Sequence, residues 1–152
     1  MSSRRHAMDP KLDSLQATQG RLILGPELES GHELLDREHR ELFALGNAAL
    51  EALARPDSSR PAVHSALDAL VVHLVRHFTD EERVLAQCGY EHLEEHRRAH
   101  KALLARAHEL EMHAEAGTIS ITELAEYLAH DVVQMHLVKT DRLFFPSLRA
   151  QR

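Results

Sequence analysis

From about residue 30 onward, apolar positions recur every three or four residues, in four separate runs. In the first run, Leu35, His39, Leu42, Gly46 and Leu50 fall on one stripe at helical period. Ser30-Gly31-His32-Glu33 stands before it with the spacing of a capping box, so the helix is expected to start there. Arg55-Pro56-Asp57-Ser58-Ser59-Arg60-Pro61 breaks the pattern, with serine in a cap position and Pro61 suited to a first turn. The second run aligns Leu67, Leu70, Leu74, His77, Glu81 and Leu85, and Gly89 is placed to end it in the left-handed conformation. The third begins near His92, aligns His96, His100, Leu103, Ala107 and Leu110, and stops at Gly117. Ser120-Ile121-Thr122-Glu123 forms a further capping box. Leu124, Leu128, Val132 and His136 then carry the fourth run, whose helical pattern ends near Pro146. Four amphipathic helices of roughly 18–27 residues with short connections predict an all-α fold, an antiparallel up-down-up-down four-helix bundle. No segment alternates as a half-buried strand does, and no repeat or low-complexity stretch interrupts the pattern. Residues 1–30 keep no sustained period and hold Pro10, Gly20, Gly25 and Pro26. The bundle is therefore expected to carry an N-terminal extension: a tail or linker over residues 1–21, poorly ordered, and one domain over residues 22–152.

Composition narrows the function. The 152 residues are 43% hydrophobic and 28% charged, an ordinary globular mix for one domain. A net charge of −6 and a pI near 6.1 argue against a nucleic-acid binder that works through a basic surface. The single cysteine, Cys88, excludes an internal disulfide framework and a cysteine-based zinc site, and it reads as a small buried hydrophobe at a helix end. No apolar run approaches the roughly 18 residues that span a bilayer, so no membrane insertion is expected. The basic start, Met1-Ser2-Ser3-Arg4-Arg5, is followed by no longer apolar stretch than Leu22-Ile23-Leu24, which favours a cytoplasmic location over a secretory one. The unusual feature is histidine: thirteen residues, in a chain with 4% aromatics and no tryptophan.

The histidines fall where they cost most. A core-facing imidazole or carboxylate is unfavourable unless it is paired or metal-bound. Yet His39 lies on the first stripe, His77 and Glu81 on the second, His96 and His100 on the third, and His136 on the fourth, with Asp141 close behind. His77 and Glu81 are four apart, as are His96 and His100, so each pair shares a helix face and can reach one centre. His136 and Asp141 are five apart, which turns about 140° on an ideal α-helix and needs a bulge or a loosened turn. Five imidazoles and two carboxylates are too many for one first-row ion and suit two ions that share the carboxylates. The mixed nitrogen and oxygen set suits iron, and zinc or manganese remain open. His73–His77 and His92–His96 are competing pairs with the same spacing, although only the seven-residue set uses all four stripes. The other histidines read as solvated helix positions, as do Asp36 and Glu38. Glu82 reads as solvated, with a possible supporting role behind a ligand.

The sequence resembles the hemerythrins, and among them the bacterial ones. The resemblance rests on Leu35-Asp-Arg-Glu-His39-Arg-Glu-Leu-Phe43, His77-Phe-Thr-Asp-Glu81-Glu82, Gly89-Tyr90, His96-x-x-x-His100 and His136-x-x-x-x-Asp141, in that order and with helix-sized gaps. It covers roughly residues 22–148 and implies a hemerythrin-like di-iron domain over residues 22–152. It implies that His96, His100 and His136 hold one iron and His39 and His77 the other. Glu81 and Asp141 then bridge the two irons beside an oxo or hydroxo group. The iron with two histidines keeps the open position at which the family binds O2. Leu42, Phe43, Leu74, Phe78, Leu103 and Val138 are candidates by spacing for an apolar wall around that position, although plain core is the stronger reading, since any bundle needs a Leu/Phe stripe. The chain departs from many bacterial members at Leu22-Ile23-Leu24-Gly25-Pro26 and at Val132, where they carry Trp or Phe.

The function expected from the resemblance is reversible O2 binding, for carriage, storage or delivery, with other small diatomics or anions as further ligands. The alternative is an O2- or redox-sensing domain acting on a partner protein or a fused output domain. A di-iron oxidase or peroxidase ranks below both, because carboxylate-rich di-iron enzymes use paired Glu-x-x-His motifs and the chain has only Glu29-x-x-His32, ahead of the first helix.

Overall fold

The computed structural model describes residues 21–151. The expected tail, residues 1–21, lies outside the described residues apart from Arg21. Helix α1 spans Glu33–Ala54, α2 Arg60–Gln87 and α3 Leu93–Ala116. The fourth rod begins as α4, Ile121–Glu126, and continues as a π-helix over Tyr127–Thr140. A 3-10 turn, Asp141–Leu143, and a short α5, Phe145–Arg149, complete the chain. There is no β-strand among the described residues.

The helix ends follow from local chemistry. Ser59 Oγ accepts from the Ala62 N–H and Ser120 Oγ from the Glu123 N–H, so both caps are those the sequence predicts. Gly89 and Gly117 adopt φ of 69° and 74°, the left-handed turn that ends α2 and α3. The start of α1 differs from expectation. His32, not Ser30, is the N-cap, and no side chain caps it. Asp36 instead folds back, accepting from the Ser30 N–H and Oγ–H at 2.7 Å each and from the Gly31 N–H at 3.0 Å. Gly31, at φ 83°, turns the chain so that this reversed cap forms. Asp36 is half-buried rather than solvated. The helical pattern also outlasts Pro146, which occupies the first turn of α5, where a missing N–H leaves no bond unmade.

Helix α1 packs on α2 and α4, and α3 packs on α2 and the π-helix, which closes a ring of four rods. Cross-helix contacts give the directions. Glu38 meets His77, Glu82 meets His100, and Leu103 meets Tyr127, so each rod runs against its sequence neighbour. This is the antiparallel up-down-up-down bundle. Its interior holds two apolar clusters. The larger gathers Leu42, Leu70, Leu74, Leu110, Leu128 and their neighbours; the smaller gathers Leu35, Val84, Leu85, Phe144, Phe145 and Leu148. A polar layer lies between them, as each rod shows in turn. Along α1 it is His39, between Leu35 and Leu42; along α2 it is Glu81, between Phe78 and Leu85. No helix among the described residues is long and apolar enough to cross a membrane.

Candidate metal centre

The polar layer contains all seven residues singled out by the sequence. His39, His77, Glu81, His96, His100, His136 and Asp141 are each 0–3% exposed. Four rods converge on one point because each places a polar residue at the height where its apolar stripe is interrupted. Glu81 stacks one turn beyond His77, and His100 one turn beyond His96. The last pair is brought together by the wide turn. The Asp141 N–H donates to the His136 carbonyl, a bond spanning five residues, so these two side chains stack where an α-helix would turn them about 140° apart. A rare backbone form thus resolves the spacing that fitted an α-helix poorly.

The donors divide into two groups. His39, His77, Glu81 and Asp141 form one, and His96, His100, His136, Glu81 and Asp141 the other; within each, one ligand atom per residue lies within 4.8 Å of all the rest. The carboxylates belong to both because each turns one oxygen to either side. Glu81 Oε2 lies 3.3 Å from His77 Nε2 and 3.8 Å from His39 Nε2, while Glu81 Oε1 lies 3.1 Å from His100 Nε2. Asp141 Oδ2 lies 3.6 Å from His39 Nε2, while Asp141 Oδ1 lies 2.9 Å from His136 Nε2 and 3.3 Å from His96 Nε2.

Residues 30–148 match the family described as the hemerythrin HHE cation binding domain. The chain belongs to the hemerythrin family. Bacteriohemerythrin of Methylococcus capsulatus is 27% identical to it over 115 residues, covering 76% of this chain and 86% of that protein. Bacteriohemerythrin of Stenotrophomonas maltophilia is 25% identical over 129 residues, covering 85% of this chain and 82% of that protein. Among solved structures, a mutant hemerythrin superposes with a TM-score of 0.72 at 25% identity, covering 84% of this chain and 98% of that one. Wild-type hemerythrin gives 0.70 at 24% identity, over 83% and 95% of the two chains.

The hemerythrin-type donor set fits a pair of cations on its own chemistry. His39 Nε2, His77 Nε2, Glu81 Oε2 and Asp141 Oδ2 are buried and have no hydrogen-bond partner. Buried polar atoms left unpaired are costly, and here they face one another. Their separations of 3.3–3.8 Å suit donors that each sit about 2.0–2.2 Å from a shared ion. Electrostatics agrees. Burial favours a neutral His77, but the hydrogen bond to Glu38 and the neighbouring Glu81 carboxylate outweigh it and push the imidazole up to about 9. Burial is likewise outweighed by Asp141 and Glu81 at His96, up to about 9, and at His136, up to about 10. Burial alone would protonate Glu81 and Asp141, yet the surrounding imidazoles hold both well below the usual carboxylate range. Positive charge is thus drawn to these two carboxylates, and metal ions can supply it in place of protons.

Two features escaped the sequence reading. Glu38, read as solvated, is 2% exposed, and its Oε2 accepts from His77 Nδ1 at 2.9 Å. A signal was present, since Glu38 stands three residues after Leu35 and four before Leu42, on the buried stripe. His73 is 5% exposed, and its Nε2 lies 2.9 Å from the Glu38 carbonyl oxygen. It belongs to neither donor group, so the His73–His77 pair is not brought together as ligands, nor is His92–His96. Glu82 does stand behind a donor, its Oε1 2.7 Å from His100 Nδ1. Of the expected apolar wall, Leu42, Phe43, Leu74, Phe78 and Leu103 are buried and Val138 is half-buried. Phe78 touches the centre directly, its ring stacked on His100 with centroids 3.9 Å apart.

Proposed function

We propose that this chain binds O2 reversibly at two iron ions, for oxygen carriage, storage or delivery. His39 and His77 would hold one ion, and His96, His100 and His136 the other, with Glu81 and Asp141 offering an oxygen to each. The observation that carries the reading is the division of both carboxylates, one oxygen toward a two-histidine side and one toward a three-histidine side. When bound, two ferrous ions supply the two electrons that O2 takes up on binding and returns on release.

The chain's own residues do the rest. The three-histidine side offers five protein donors and the two-histidine side four. A first-row ion takes up to six ligands, so the side of His39 and His77 has more room for an exogenous one. Leu42, Phe43, Leu74, Phe78, Leu103 and Val138 wall the layer with apolar surface and keep water away, which disfavours irreversible oxidation. Histidine-rich ligation supports binding over turnover. The unit of function runs over residues 22–152; the Leu22 N–H and carbonyl pair with the side chain of Asn47 and tie that end to α1.

The test is optical and elemental. Reduced, oxygen-free protein should carry two irons per chain and be colourless, gain visible ligand-to-iron charge-transfer bands with air, and lose them on deoxygenation. Bands that persist after O2 is removed would replace carriage with irreversible oxidation. Fewer than two irons per chain would overturn the ligand assignment.

A further inference from the structure

We propose that Glu38 is a positioning residue that selectively retains the ion on the side of His39 and His77; this rests on the two-ion reading above. Glu38 precedes His39 in the chain and is hydrogen-bonded to His77, so a single residue links both histidines of that side. An ionised carboxylate only accepts, so His77 Nδ1 donates to Glu38, and with an ion bound Nε2 would be the ligating nitrogen, on the side of Glu81 Oε2, 3.3 Å away. The Glu38 main chain is held as well. Arg76 lies 3.2 Å from His73 Nδ1. A guanidinium has no acceptor, so His73 Nδ1 accepts, and Nε2–H is left to donate to the Glu38 carbonyl at 2.9 Å. The tautomer of His73 is thereby fixed, and α2 grips the α1 backbone one residue before His39. His73, His77 and Glu81 follow one another at successive turns of α2, the first two with rings parallel within 5°. The other Glu38 oxygen faces Arg76 Nε at 3.9 Å, and Arg76 is anchored at the surface by Glu41 at 2.8 Å.

Exposure separates the two sides. Glu38 is 2% exposed, so water does not replace it behind His77. The three-histidine side has a weaker counterpart: its supporting carboxylate, Glu82, is 26% exposed, so water can take its place behind His100.

Zinc is the probe, because it accepts the same donors and is redox-silent. The full chain, stripped of metal, is titrated with zinc in competition with a chelator. Wild type should bind two ions. Glu38→Ala should keep one at wild-type affinity and bind the other about 10- to 100-fold more weakly. Glu38→Gln, whose amide oxygen still accepts from His77, should lose less than tenfold. In the zinc-loaded protein, the His77 Nδ1 proton should give a slowly exchanging resonance that shifts in Glu38→Gln and vanishes in Glu38→Ala. Wild type binding fewer than two zinc ions would sink the two-ion reading itself. Two ions in wild type with both affinities unchanged in Glu38→Ala, or an unmoved His77 proton in Glu38→Gln, would sink the positioning role alone. If Glu38→Ala fails to fold, Glu38→Gln decides: an affinity loss confined to one ion, with the resonance shifted, upholds the proposal, and an unchanged resonance or equal losses at both ions overturns it.

Discussion

In the larger apolar cluster, Leu70, Leu74, Leu110 and Leu128 are each 0–1% exposed and carry no polar atom, so burial alone holds them. The polar layer beside it is just as buried, yet it holds seven ionisable side chains with orphaned nitrogens and oxygens among them. The first region is stable in any solution that favours folding. The second is satisfied only when positive charge enters it, as protons or as metal ions. Fold and function are therefore separable here: apolar contacts set the positions of four rods, and those positions impose the polar convergence.

The largest test of that separation is Glu81→Ala. It removes an oxygen from each proposed ion, so both should be lost by elemental analysis, while far-ultraviolet circular dichroism stays helical because the apolar cluster is untouched. The melting temperature should fall toward that of the metal-free wild type, since an ion present at 1,000 times its dissociation constant stabilises by about 4 kcal/mol. Two irons retained in this variant would break the comparison from the functional side. Leu70→Ala reverses the roles. It should cost about 2–5 kcal/mol in a denaturant titration yet leave the metal content unchanged; loss of metal in the folded variant would show that the two regions are not independent. A smaller effect is expected at the seam between α3 and the π-helix, where Tyr127 donates to the Leu103 carbonyl at 2.9 Å. Tyr127→Phe removes this second bond to a carbonyl that α3 already pairs with its own N–H and should cost about 0.5–1.5 kcal/mol, read in the same titration. An unchanged midpoint would mean that the hydroxyl adds nothing to the helix's own bond.

Much of this was legible in the linear chain. Ser59, Ser120, Gly89 and Gly117 mark helix ends because capping and left-handed turns depend on a few adjacent residues. Six of the seven converging side chains are legible because each interrupts an apolar stripe; Asp141 lies behind the fourth stripe at a spacing that fits an α-helix poorly, and it enters the set through the family resemblance. Ser30 misled, since its spacing to Glu33 is that of a cap while Gly31 turns the chain away and Asp36 closes the loop from within the helix. Glu38 was read as polar and therefore solvated, although its register places it inward. His73 was read for its spacing to His77, but its partner is a backbone carbonyl 35 positions away, which no local pattern reveals.

The sequence by itself determined the rods, their ends and the identity of the groups that meet. Those depend on period and on neighbours within one helical turn. Only the tertiary structure decided which carboxylate oxygen faces which histidines, that His136 and Asp141 are joined through a widened turn, and that Glu38 lies behind His77. These depend on how far one rod slides along another, and that register is chosen by the packing of the whole interior.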